Sequence, residues 1–167
     1  MDHQSIRPSI LLEGVRYPDE DRLREYLDAG VLTRETLTDG FRASFVRHAQ
    51  RIALAGPDGR MTYAELDERS DRLGAAFLAM GMRPLERAVF QCGNSQELLL
   101  AFFAALKAGI IPICALQAFR RLEISYLGNL AEARMHLVMG DDERFDDVAF
   151  ARDMQSEVPS LEYIVQA

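Results

Sequence analysis

The stretch from Arg87 to Val138, RAVFQCGNSQELLLAFFAALKAGIIPICALQAFRRLEISYLGNLAEARMHLV, constrains the fold of this chain more than any other. It reads as apolar strand, polar turn, apolar helix, apolar strand, amphipathic helix and apolar strand. Helical crossovers between short apolar runs imply parallel neighbours, because parallel strands cannot be joined by a tight turn. The predicted class is therefore α/β, an open, mostly parallel sheet with helices on both faces. Strands are expected over 87–91, 110–116, 135–140 and 161–165, with crossover helices over 95–108 and 121–133 and a weaker helix over 145–157. Pro112 cannot donate to a strand ladder, so it belongs at a strand end, a bulge or an edge.

The residues before this core are expected to prepare for it. Residues 1–18 contain Pro8 and Pro18 and little periodicity, which predicts an extended N-terminal arm, with 19–167 as the body. A helix over 19–30 has acids in its first turn and ends at Gly30; Leu23, Tyr26 and Leu27 give it one apolar stripe to cover. A second helix over 36–50 carries Leu37, Phe41, Phe45 and His48 on one side, with His48 read as a core-edge histidine. IALAG (52–56) and MTY (61–63) form a hairpin around PDGR (57–60). Thr62 and Glu65 offer a capping box for a helix over 63–80, with Leu66, Leu73, Phe77 and Met80 buried and Ala75, Ala76 and Ala79 permitting close packing. Asn94 and Glu97 repeat that logic for the helix carrying Leu98, Leu99, Phe102, Phe103 and Leu106. The helix after the second core strand is marked by Leu122, Ser125, Tyr126 and Leu130.

Composition narrows the class of partner. At 49% hydrophobic and 27% charged the chain is of ordinary globular type, and its net charge of −7 is spread over both halves. With no basic stripe, neither nucleic acid nor an acidic membrane is an expected partner. The longest apolar region is broken by Lys107 and Gly109, short of a membrane span, and the N-terminus lacks a basic and then apolar leader, so a cytoplasmic location is the default. Cys92 and Cys114 read as buried, reduced thiols, and His3, His48 and His136 make no zinc constellation. The acidic run DDERFDD (141–147) lacks the glycine and terminal glutamate of a calcium loop and reads as a solvated turn. No metal site is expected.

The first strand-to-helix junction, FQCGNSQE, is where a phosphate loop would stand. It has Gly93 alone, against the three glycines of G-x-G-x-x-G or the lysine of G-x-x-x-x-G-K-[ST]. Ser95 has neither a nucleophile elbow nor an evident base and reads as helix-start polarity. Residue chemistry alone identifies no catalytic and no cofactor-binding residue.

The order GPDGRMTYAELDERSDRLGAAFLAMGM followed by FQCGNSQELLLAFFAALKAGIIPICAL resembles the N-terminal part of the AMP-forming acyl-adenylating enzymes, which include acyl-CoA synthetases, peptide-synthetase adenylation domains and luciferases. The segments 62–77 and 93–116, with the preceding YPDED, are most similar to the aryl-acid branch, which activates 2,3-dihydroxybenzoate or salicylate. The resemblance covers the chain from about Tyr17. It implies the N-terminal subdomain of that fold, apparently truncated, since LEYIVQA stops just after a core strand. It also implies, for a full-length enzyme, formation of an acyl-adenylate from ATP and an aryl or related carboxylic acid with Mg2+, then transfer to CoA or a carrier-protein phosphopantetheine, in siderophore or secondary-metabolite synthesis. The family's phosphate loop, S/T-S/T-G-S/T-T-G-x-P-K, has no match here, so its lysine role is not carried onto Lys107. This chain alone is expected to be inactive and to hold no tightly bound cofactor; its expected partner is the remainder of the ligase chain.

One local feature of the aryl-acid branch does fall inside the chain. Where that branch has A-L-P-A-H-R-x-x-E, this sequence has Ala115, Leu116, Gln117, Ala118, Phe119, Arg120, Arg121, Leu122 and Glu123, so Gln117 replaces the proline and Phe119 the histidine. Gln117, Phe119 and Arg120 are the substrate-pocket candidates, and Arg120 with Glu123 is expected to form a helix-start ion pair and cap. Two other readings remain open: a non-enzymatic accessory or homodimerising subdomain, and a nucleotide-binding regulator of flavodoxin-like topology.

Overall fold

The computed structural model describes residues 13–57, 59–140 and 144–167, in two compact units divided between Phe41 and Arg42. The division falls later than residue 18, and most of the expected arm lies outside the described residues. In the first unit, α1 (Glu20–Asp28) has Glu20 and Asp21 in its first turn, where carboxylates meet the positive end of the helix dipole. None of its side chains is buried: Leu23 and Leu27 are half-buried and Tyr26 is exposed, so the stripe predicted to be covered is only partly so. Helix α2 (Leu37–Arg47) runs across the division and starts at a reciprocal cap, in which the Thr36 N–H donates to Asp39 at 2.9 Å and the Asp39 N–H to Thr36 Oγ1 at 3.1 Å. Leu37 is exposed, contrary to the predicted stripe, because a side chain in a helix covers the turn before its own Cα and the first residue has none.

The second unit opens with an antiparallel hairpin of β1 (Ile52–Gly56) and β2 (Gly59–Thr62); Asp58 of its expected turn lies outside the described residues. Then follow α3 (Tyr63–Met80), β3 (Arg87–Gln91), α4 (Gln96–Lys107), β4 (Ile111–Ala115), α5 (Arg121–Ala131), β5 (Met135–Val138), α6 (Asp147–Met154) and β6 (Tyr163–Gln166). The last four strands form one parallel sheet in the order β4-β3-β5-β6. Pro112 therefore sits on an edge strand, where its missing N–H disrupts no interior ladder. The interior strands β3 and β5 are buried on both faces, which is why they read as largely apolar runs, with Gln91 and His136 as the buried polar residues within them.

One face of the sheet, with Ala88, Phe90, Met135 and Leu137, packs against α3 and α4 through Phe77, Ala101, Ala104, Ala105 and Ala108. The other face, with Val89 and Ala115, packs against Ile124 of α5 and Met154 of α6. Helix α3 starts at the predicted capping box, Thr62 and Glu65 exchanging bonds of 2.8 and 3.2 Å, and those bonds hold the Glu65 carboxyl below its ordinary range. Its buried stripe is Leu66, Ser70, Gly74 and Phe77; Met80 and the alanines at 75, 76 and 79 face out. Ser70 can be buried because its hydroxyl donates to the Leu66 carbonyl at 2.6 Å. Gly74 is the contact point of the two helices, since a Cβ there would lie 2.9 Å from the Ala104 carbonyl oxygen. That close approach also explains why α4 buries its alanines while Leu98, Phe102 and Phe103 are only partly covered and Leu99 is exposed.

Two further expectations are corrected on this unit. Cys114 is exposed on the edge strand, and only Cys92 is a buried thiol. In α5 the buried residues are Ile124 and Gly128, whereas Leu122, Tyr126 and Leu130, the residues that marked the helix in the sequence, are 78%, 65% and 70% exposed. No helix among the described residues is long and apolar enough to cross a membrane.

Candidate functional site

Open parallel sheets bind ligands beyond the carboxyl ends of their strands, and here that end carries two loops that touch. The first leaves β3 through Cys92, Gly93 and Asn94 and enters α4 at Ser95, whose hydroxyl oxygen accepts from the Leu98 N–H at 3.2 Å. Ser95, rather than the predicted Asn94, is thus the cap, and the serine is accounted for without a nucleophilic role. The second loop leaves β4 through Leu116 and runs over Gln117, Ala118 and Phe119 to Arg120. Gly93 lets the two meet: a Cβ on it would lie 3.0 Å from Gln117 Oε1.

Beneath the second loop lies a polar couple that the sequence reading missed. Gln91, the last residue of β3, is fully buried, as is His136 on β5. The Gln91 amide nitrogen donates to the carbonyls of Gln117 at 3.2 Å and Phe119 at 2.7 Å, so both its hydrogens are used to hold the loop. Its Oε1 then has to accept, and it does so from His136 Nε2 at 3.0 Å. This fixes the neutral tautomer with the proton on Nε2 and leaves Nδ1 without a hydrogen-bond partner. A second proton would have to enter at a dry nitrogen, and burial accordingly lowers the His136 pKa to about 4. The signal was present in the sequence as two polar residues inside otherwise apolar strands.

Arg120 folds back on its own loop. Its guanidinium donates to the carbonyls of Gln117 and Phe119, both at 2.8 Å, and lies 3.9 Å from the centre of the Phe145 ring. The Glu123 carboxylate accepts the Arg120 backbone N–H at 3.0 Å, which lowers its pKa and caps α5. The cap is as expected; the guanidinium bonds carbonyls in place of that carboxylate. Phe119 is partly buried against the Val89, Ile124 and Met154 cluster. Gln117, Phe119 and Arg120 are therefore brought together by one loop and one buried amide. They do not line the cavity of about 390 Å³ on this unit, which lies between the hairpin and the start of α4 and is lined by Leu54, Gly56, Asn94, Ser95, Gln96 and Leu98 among others.

Lys107 is placed at the last position of α4 and has a structural partner set. Its side chain is 4% exposed, and Nζ lies 2.5 Å from Asp67 Oδ1 and 3.1 Å from Asp71 Oδ1 on α3. Among the described residues no group of three His, Cys, Asp or Glu side chains converges to hold a metal ion. These residues do not by themselves fit a magnesium–nucleotide site.

A pattern described as AMP-binding enzyme matches residues 41–167. The chain belongs to the AMP-binding enzyme family. It is 36% identical over 156 residues to triostin synthetase I of Streptomyces triostinicus, covering 93% of this chain and 29% of that protein. To the 2,3-dihydroxybenzoate-AMP ligase of Bacillus subtilis it is 34% identical over 151 residues, covering 90% of this chain and 28% of that one. Among solved structures it is similar to apo MbtA of Mycobacterium smegmatis, with a TM-score of 0.81 and 27% identity over 90% of this chain and 27% of that chain. This member of the AMP-binding family thus spans little more than a quarter of the length of these relatives. The parallel sheet with helices on both faces is the N-terminal part of their fold, and the resemblance drawn from the sequence to the aryl-acid ligases holds.

Proposed function

We infer that this chain supplies the N-terminal α/β part of an ATP- and Mg2+-dependent ligase that activates an aryl carboxylic acid as its acyl-adenylate and passes the acyl group to CoA or a carrier-protein thiol. The observation that carries the reading is the 34% identity, along an alignment that covers 90% of the chain, to an enzyme named for 2,3-dihydroxybenzoate. Residues 42–167 are the scaffold in this reading, and the chain alone makes no adenylate. A cytoplasmic location follows from the need for ATP and a thiol acceptor.

What the chain's own residues contribute is position. Gln91 holds the Gln117–Phe119 carbonyls at the carboxyl end of the sheet, and Gln117 lies against the Gly93 turn. We assign this loop to the wall of the acid pocket, with Phe119 setting its width and Arg120 its rigidity. ATP–pyrophosphate exchange tests both parts. The 167-residue chain alone is expected to give no exchange, and the complex with the remaining part of a ligase is expected to exchange with 2,3-dihydroxybenzoate or salicylate. In that complex Phe119→His should change the KM for the acid more than kcat, because a wall residue alters binding of ground and transition states alike. Exchange by the chain alone, or exchange with fatty but not aryl acids, would sink the reading.

A further inference from the structure

We propose that Phe145, on the connection from β5 to α6, is a positioning residue that latches the Gln117–Arg120 loop through the Arg120 side chain; its bearing on the acid rests on the reading of that loop as a pocket wall. The loop is held twice. The Gln117 carbonyl accepts from the Gln91 amide at 3.2 Å and from the Arg120 guanidinium at 2.8 Å, and the Phe119 carbonyl accepts from the same two groups at 2.7 and 2.8 Å. A carbonyl oxygen has two lone pairs, so both oxygens are saturated and the loop presents side chains to a ligand.

The two donors differ in what fixes them. Gln91 is fully buried and bonded to His136. Arg120 is exposed, and a long exposed side chain loses rotamer freedom when it bends back on its own backbone. The group that offsets this loss is the Phe145 ring, whose centre lies 3.9 Å from the guanidinium carbon, well inside the range of a cation–π contact.

Phe145 can serve as a platform because it is itself fixed. Asp146 caps α6, its Oδ1 accepting from the Ala149 N–H at 2.8 Å. Phe145 therefore stands just before the cap and Phe150 at the fourth helical position, and their ring centroids are 5.3 Å apart, which makes the pair a hydrophobic staple. Phe150 in turn packs on the second core cluster and meets the His136 ring edge-on at 6.4 Å. The contacts close into a circuit: Arg120 to Phe145, Phe145 to Phe150, Phe150 to His136, His136 to Gln91, and Gln91 to the same two carbonyls that Arg120 holds. Phe145 is the link of that circuit that can be changed without entering the sheet.

Amide hydrogen exchange on the 167-residue chain, followed residue by residue, tests the latch. Phe145→Leu leaves Phe150 an apolar partner and removes the aromatic face beneath Arg120. The Phe119 amide, bonded to the Leu116 carbonyl at 3.0 Å, should then exchange hydrogen roughly two- to fivefold faster, while the Val89 and Phe90 amides of β3 change less. Phe145→Tyr keeps the face and should match the wild type. In an Arg120→Gln background Phe145→Leu should add nothing, because the two side chains act as one unit. A Phe119 amide that accelerates no more than those of β3 overturns the proposal. So does an undiminished effect of Phe145→Leu in the Arg120→Gln background, since the ring then acts through the staple alone. ATP–pyrophosphate exchange in the reconstituted ligase separates the latch from the pocket wall. A raised KM for the acid with kcat little changed in Phe145→Leu supports both, whereas an unaltered KM beside a loosened loop leaves the latch standing and removes the wall assignment.

Discussion

His136 should make this protein lose stability on mild acidification, before its carboxylates begin to titrate in the unfolded chain. In the folded protein the imidazole is neutral, donating from Nε2 to Gln91, with Nδ1 buried and unpartnered. Burial lowers its pKa from 6.5 to about 4. Between those values the unfolded chain binds a proton that the folded chain does not, so stability is present above pH 6.5 and is lost as the pH falls toward 4. For that shift the loss between pH 7 and pH 5 is about 1.8 kcal/mol, or roughly twentyfold in the unfolding constant. The carboxyls of Glu65, Glu123 and Glu162 are held below their ordinary 4.5 by hydrogen bonds. Their contributions are present above 4.5 and decline below it, under the pH 7 to pH 5 interval.

Urea unfolding at pH 7, 6 and 5 measures the effect directly. His136→Gln keeps a neutral donor for Gln91 Oε1 and removes the titrating group, so its stability should change about 1.8 kcal/mol less over the same interval, whatever its baseline at pH 7. Because the comparison is one of slopes, a modest packing defect in the variant does not obscure it. Parallel slopes for wild type and variant would refute the argument, and with it the assignment of His136 as a neutral donor under the Gln117–Arg120 loop.

Three other perturbations separate packing from chemistry. Gly74→Ala would ordinarily favour a helix, but here the new Cβ meets the Ala104 carbonyl oxygen at 2.9 Å, so thermal unfolding should show a net loss of about 1–3 kcal/mol. Lys107→Met removes a buried ammonium from Asp67 and Asp71, whose side chains are 27% and 45% exposed and so can rehydrate in part. Its expected cost is about 1–2 kcal/mol in denaturant unfolding, with exchange activity retained in a reconstituted ligase; loss of activity at unchanged stability would contradict a structural lysine. Thr62→Ala opens the capping box of α3 and should cost about 1 kcal/mol in the same assay.

The sequence showed most clearly what is decided locally. Strands β3 and β5 were legible because burial on both faces makes them apolar except at Arg87, Gln91 and His136, and the Thr62–Glu65 box because its spacing is its geometry. Helix α5 was legible as a helix, yet Leu122, Tyr126 and Leu130 and the pair Ile124 and Gly128 both satisfy helical spacing. Periodicity finds an apolar face without saying which layer lies above it. The candidate site was half legible for a related reason. The FQCGNSQE and QAFR loops stand where strand ends predict, but what holds the second of them is an amide bonded to a histidine 45 residues away. That pairing exists only once β3 and β5 lie side by side with Val89 opposite His136 and Gln91 two residues further along the same face. The residues that break a buried strand's apolar pattern were therefore the ones to question first. Burying Gln91 is compatible with a stable sheet because each hydrogen of its amide finds a loop carbonyl, and those same bonds fix the loop that the family resemblance had singled out.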